Sequence, residues 1–182
     1  MKATKNSLGQ IHLYTGDGKG KTTAALGLAL RAAGNNKKVG IIFFDKGGFR
    51  YGERKSLLKL TPQINFFVTG KVRFRPGKPF RFSVLPADQK EGLKGLELAR
   101  ALFRKKYDLI ILDEVNVAAK LKIIPLSSLL QLIKEKPIKT ELVLTGRRAP
   151  KALWQVADLI TEMKLHKHYF YQGIAARRGI EF

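Results

Sequence analysis

The 182-residue sequence predicts an α/β fold: one three-layer domain, residues 1–182, with a central, mainly parallel sheet. Three observations carry this. Strand-like and helix-like stretches alternate along the chain. Two of the strand-like stretches, VGIIFF at 39–44 and LIILD at 109–113, are continuous apolar runs, the pattern of strands covered on both faces. And residues 10–34, QIHLYTGDGKGKTTAALGLALRAAG, pass from strand to helix through a glycine-rich loop.

In chain order, residues 10–14 alternate polar and apolar, with Ile11 and Leu13 on one face, and predict the first strand. The helix after the loop should run over 21–33 and stop at Gly34, a natural C′ glycine. Residues 39–44 make the second strand. Asp45, Lys46, Gly47 and Gly48 leave its C-terminal end, where open α/β sheets place their ligands. A short helix at 53–60 and a third strand at 64–68 follow. Residues 69–86 read as irregular, punctuated by Gly70, Pro76, Gly77, Pro79 and Pro86. Asp88 with Glu91 is a capping-box pair opening a helix that carries Leu93, Leu96, Ala99 and Phe103 on one face. Arg104, Lys105 and Lys106 suit its C-terminal end. The strand at 109–113 ends in Asp113, with Glu114 next. An amphipathic helix at 125–135, a strand at 142–145, a helix begun by Pro150 and a last strand at 159–163 complete the alternation. Trp154, in that last helix, is expected in the core.

The loop carries the chemistry. Gly16, Gly18 and Gly20 allow backbone N–H groups to converge on phosphate oxygens at a helix N-terminus. Gly16, Asp17, Gly18, Lys19, Gly20, Lys21, Thr22 and Thr23 are therefore the expected ATP-binding segment of a P-loop NTPase of the RecA-like kind. Lys21 would reach the β/γ-phosphates and the Thr22 hydroxyl would bind Mg²⁺. Thr15 stands where the strict pattern wants glycine. A second acid site should lie at a strand end near the metal, and Asp113 with Glu114 supplies it. Asp113 is the expected metal ligand; in a hydrolase Glu114 beside it would orient the attacking water.

Composition narrows the rest. There are no cysteines, hence no disulfides, thiolate metal sites or cysteine nucleophiles. The N-terminal stretch has no apolar signal region and no run is long enough to span a bilayer, so a cytoplasmic location is expected. Thirty-five Lys/Arg against 14 Asp/Glu give a formal net charge of +21, a field that attracts polyanions. Ten of those basic residues and one acid, Glu53, fall between Lys46 and Arg81, with Phe74, Phe80 and Phe82 interleaved or adjacent.

With these pieces placed, the chain resembles the P-loop corrinoid adenosyltransferases. The matching stretches are TGDGKGKTTAALGLALRAAG, Lys46-Gly47, Tyr51-Gly52-Glu53-Arg54, Val68-Thr69-Gly70, LIILDE, LVLTGRRAP, Ala157-Asp158 and the tail KHYFYQG…GIEF. Thr15 is what that family carries. The resemblance implies that cobalt(I) of a reduced corrinoid attacks C5′ of ATP and that triphosphate leaves. It implies catalytic roles for Lys21 and Glu114, a metal site of Thr22, Asp113 and Glu114, and further nucleotide contacts from Arg31 and Arg147. It also implies a homodimer and a flavoprotein reductase as electron donor. Two departures stand out. Lys71 and Arg73 occupy positions where the family shows aromatics against the corrinoid, with Phe74 one residue away, and only nine residues precede Gln10. Lys71, Arg73 and Phe74 are the expected corrinoid-binding residues, the two basic heads free to pair with carboxylates or phosphate on the substrate.

A second reading comes from a different class: a RecA-like ATPase or ATP-dependent nucleic-acid binder. It takes Glu114 as the water-orienting acid and the basic 46–81 segment as a single-strand track. Nucleic acid would otherwise bind only non-specifically, through charge.

Overall fold

In the strand Val39–Phe43 every residue is buried, and side chains of alternating direction sort the core into two halves. Ile41 and Phe43 pack with Ala25, Ala29, Leu57, Ile111 and Val143. Ile42 packs with Leu96, Leu102, Ile110, Leu112, Leu142 and Leu144. The computed structural model, which describes residues 9–48, 51–73, 81 and 83–182, thus has the expected three layers.

The strands are β1 (Ile11–Thr15), β2 (Val39–Phe43), β3 (Ile64–Val68), β4 (Leu109–Asp113), β5 (Glu141–Thr145) and β6 (Leu159–Glu162). They form one sheet in the order β3-β2-β4-β5-β1-β6, and every neighbouring pair is parallel. The helices are α1 (Lys21–Gly34), α2 (Gly52–Leu58), α3 (Pro86–Arg104), α4 (Val115–Lys120), α5 (Leu126–Lys134) and α6 (Lys151–Val156). On one face α1 buries only Ala25 and Ala29 apart from Lys21; small residues let it lie close to the sheet. On the other face α3 and α5 bring Leu96, Leu102, Leu129 and Leu132. β5 lies between β1 and β4, so the glycine loop and the acid pair sit at the same sheet end, one strand apart.

Three sequence expectations are corrected. Gly34 is the last residue of α1, and the left-handed residue is Asn36, at φ 57°. Its side-chain amide makes asparagine tolerant of that conformation. Asp88 does not start its helix: α3 begins one turn earlier, and the Asp88 carboxylate reaches back to accept from Leu85 N–H at 2.7 Å. Trp154 is 39% exposed, because a helix as short as α6 turns one face to β1 and spends it on Leu153. The short α4 was not anticipated.

The loops after β2 and β3 touch backbone to backbone. A Cβ on Gly47 would stand 2.2 Å from the carbonyl carbon of Lys71. Gly47→Ala is expected to cost about 1–3 kcal/mol by overpacking. Denaturant unfolding checks this, and an unchanged midpoint would mean the two loops do not meet.

Candidate functional site

The glycine loop is seated on the end of the sheet's last strand. Gly16 has φ +94°, and a Cβ there would meet the Met163 carbonyl oxygen at 2.4 Å. Gly18 N–H donates to that oxygen at 2.7 Å. Thr15, by contrast, needs no glycine: it ends β1, is buried, and its hydroxyl accepts from Ala149 N–H at 3.2 Å. The departure from the strict P-loop therefore ties that loop to the segment after β5. No side chain caps the N-terminus of α1. Lys21 is 6% exposed and its ammonium folds back on the Gly18 carbonyl at 2.5 Å. Burial pushes its pKa down.

Opposite the loop, Asp113 ends β4 almost fully buried. Its Oδ1 accepts from the Thr145 hydroxyl at 2.7 Å, and that hydroxyl oxygen accepts from Glu114 N–H at 3.0 Å. β5 thus orients both acids. Glu114 sits at φ 60°, the left-handed turn that swings it from strand to helix. Burial, then the neighbouring Asp113 carboxylate, raise its pKa. Lys46 closes the group. Its Nζ donates to Thr22 Oγ1 at 2.6 Å and Asp113 Oδ2 at 2.9 Å, and lies 3.7 Å from Glu114 Oε1. Burial lowers the Lys46 pKa, but Asp113 and Glu114 outweigh it and the net shift is upward.

The Lys46 backbone is held by Arg54 on α2. The guanidinium donates to the carbonyls of Lys46 and Gly48 and lies over the rings of Phe43 and Tyr51, 5.0 and 4.7 Å from their centroids. The tail closes the other side. Lys19 Nζ donates to Glu181 Oε1 at 2.9 Å, to the Ile180 carbonyl at 3.2 Å and to the Tyr169 hydroxyl at 3.2 Å. Arg177, Tyr169 and Lys19 hold the Glu181 carboxyl far below the usual carboxylate range.

The result is a cleft of about 680 Å³ lined by the loop from Gly18 to Thr23, Lys46, Glu114, Arg147, His168 and the tail from Gly179 to Phe182. Arg31 is not brought there: it is exposed, ten residues along α1 from Lys21, or about 15 Å of helix rise. Thr23 is exposed at the cleft, and Asp17 is exposed and outside its lining. Phe74 lies outside the described residues. Lys71 pairs with Glu91 at 3.5 Å. Arg73 corrects the expectation of a free basic head. Its side chain is 4% exposed, and Nε stands 2.8 Å from Asp45 Oδ1.

That burial bears on the nucleic-acid reading as well. Lys46, Arg54 and Arg73 are spent inside the fold, and Arg81 is bidentate to Asp88 at 2.7 and 2.8 Å. Sequence reasoning places Lys46 at a ligand-bearing strand end and counts Lys46 and Arg54 in the basic 46–81 segment, but assigns neither a contact, and it gives Thr145 and Glu181 no role. The available signal was position alone: Lys46 and Thr145 both stand at or just past the C-terminal ends of buried strands.

Residues 7–182 match the protein family described as ATP:corrinoid adenosyltransferase BtuR/CobO/CobP. The chain is 36% identical to a corrinoid adenosyltransferase of Sinorhizobium sp over 186 residues, covering all of this chain and 85% of that protein. It is 33% identical to a corrinoid adenosyltransferase of Escherichia coli K12 over 174 residues, 96% of this chain and 86% of that one. Among solved structures it is similar to the flagellar accessory protein FlaH of Methanocaldococcus jannaschii, with a TM-score of 0.59 at 15% identity over 86% and 71% of the two chains. That likeness bears on the fold and agrees with a RecA-like P-loop architecture. On sequence, over nearly its whole length, the chain belongs to the ATP:corrinoid adenosyltransferase family.

Proposed function

We propose that this cleft holds the triphosphate of ATP between the glycine loop and the Asp113–Glu114 pair, as the seat of ATP:corrinoid adenosyl transfer. The observation that carries it is convergence: Lys21, Thr22, Lys46 and Glu114 line one cavity, and Asp113, buried at the end of β4, is joined to Thr22 through the Lys46 ammonium. In the reaction, cobalt(I) of the corrinoid supplies the electron pair for a new cobalt–carbon bond to C5′. The C5′–oxygen bond breaks and its electrons leave with triphosphate. No protein nucleophile or base is needed, so the chain's work is positioning and charge stabilisation. Lys21 would exchange the Gly18 carbonyl for a phosphate oxygen, and Arg147 faces the same space. Mg²⁺ fits the residues present: Thr22, Asp113 and Glu114 offer hard oxygen donors already gathered round a cation, the Lys46 ammonium. Bound there, it would neutralise charge on the phosphates.

The corrinoid would approach from the side of the loop after Gly70, near Lys71. The single-domain reading, a homodimer, a flavoprotein reductase as electron donor and a cytoplasmic location belong to the same proposal. Supporting the last, no helix among the described residues is long and apolar enough to cross a membrane. Product analysis with ATP and chemically reduced corrinoid tests the proposal: adenosylcorrinoid and triphosphate are expected, and ADP with phosphate would refute it. Asp113→Asn should raise the Mg²⁺ concentration needed for half-maximal rate by about tenfold or more, since a neutral amide is a poorer ligand for a hard cation. An unchanged requirement would take Asp113 out of the metal site.

A further inference from the structure

Three side chains expected to hold a metal, Thr22 in the first turn of α1 and Asp113 and Glu114 at the end of β4, are all engaged by one ammonium. Lys46 Nζ is 2.6 Å from Thr22 Oγ1, 2.9 Å from Asp113 Oδ2 and 3.7 Å from Glu114 Oε1. Two adjacent carboxylates, one nearly fully buried, repel each other unless a cation stands between them. The lysine is aimed there by its own backbone. Arg54 fixes the carbonyls of Lys46 and Gly48, and Gly47 is pressed against the Lys71 backbone. With the main chain anchored at these points, a flexible four-carbon stem is free to withdraw. The same cleft offers it somewhere to go, toward the space faced by Lys21 and Arg147.

We infer that Lys46 is the resident counter-ion of the metal site: without nucleotide its ammonium keeps Thr22, Asp113 and Glu114 gathered and bars a bare divalent ion, and it yields its place only when the metal arrives with the triphosphate. This rests on the assignment of those three residues as metal ligands. Its consequence is an order of binding, in which metal and nucleotide enter together. A free divalent ion must break a partly buried ion pair and leave the ammonium beside it. An ion carried by ATP brings phosphate oxygens that the displaced ammonium can pair with.

Mn²⁺ is the probe, counted as free ion by electron paramagnetic resonance, with the full-length protein and its Lys46→Met and Asp113→Asn variants. In the absence of nucleotide, wild type should bind Mn²⁺ on the order of tenfold or more weakly than Lys46→Met. Mn²⁺ alone should raise the melting temperature of Lys46→Met and not that of wild type. With ATP present, both should bind Mn²⁺, and Asp113→Asn should weaken that binding. Equal nucleotide-free affinity in wild type and Lys46→Met overturns the inference. Should Lys46→Met not fold, wild type decides by itself. A site lost in Asp113→Asn that fills with Mn²⁺ as tightly without ATP as with it overturns the inference, and tight filling only with ATP supports it. If Asp113→Asn leaves the ATP-dependent binding untouched, the ligand assignment itself is wrong and the inference falls with it.

Discussion

Lys21→Ala is expected to abolish turnover and to weaken ATP binding by about 1.5–3 kcal/mol, the worth of a hydrogen bond to a charged group in a partly dry site. Its ammonium is already desolvated, 6% exposed and resting on the Gly18 carbonyl, so little reorganisation precedes its contact with phosphate. Burial that lowers the pKa of this amine also raises the value of any anion that comes to meet it. The fold should survive, because the loop is seated through Gly16 and Gly18 on Met163 and not through the lysine. Nucleotide titration by calorimetry, with a melting curve as control, checks this. A folded variant with unchanged ATP affinity would mean that the triphosphate lies elsewhere.

The second large effect is on stability. Arg73→Met should cost about 3–5 kcal/mol, because it strands the Asp45 carboxylate in the interior. Asp45 Oδ1 is 2.8 Å from Arg73 Nε, and both side chains are mostly covered. Burial already pushes the Asp45 pKa above 3.8 even with Arg73 pulling it down; Asp88 adds to the rise, and Arg81 and Lys46 oppose it. Without the guanidinium it should climb further. A carboxyl raised in the folded state binds more protons there than when unfolded, so its penalty grows as pH rises through the folded value. The deficit of Arg73→Met should therefore shrink as pH falls toward 3.8, the ordinary value for Asp. Asp45→Asn in the same chain should restore part of the loss. A deficit that ignores both pH and the second substitution would show that Arg73 acts through packing alone. The aromatic residue that a family comparison would invite at this position would carry the same penalty, so the loop after Gly70 is not open to simple exchange.

The sheet was legible because its strands are covered on both faces and so read as unbroken apolar runs; Val39–Phe43 and Leu109–Asp113 are the clearest. The glycine loop and the acid pair were legible because each is local, a few residues with fixed chemistry. What stayed hidden depends on which loops meet. Nothing within a few residues of Lys46 tells that its ammonium will find Thr22 and Asp113, and Arg73 looks like a solvent-facing cation until Asp45 is placed beside it. Thr145 is silent for the same reason: its partner lies 32 positions away across a sheet. The capping of α3 failed on a finer point, since Asp88 can serve either end of a capping box and only the observed turn chooses.

The place of β1 in the sheet has a consequence for how the protein is made. Both neighbours of β1 are late in the chain: β5 begins at Glu141 and β6 at Leu159. On a ribosome adding about 5–20 residues per second, the first strand and its phosphate loop emerge many seconds before either partner exists. The β2–β3–β4 part can pair meanwhile, but β1 must wait as a strand with both edges open. The glycine loop therefore gains its seat only after the residue following β6 has been made and can offer the Met163 carbonyl to Gly18 N–H.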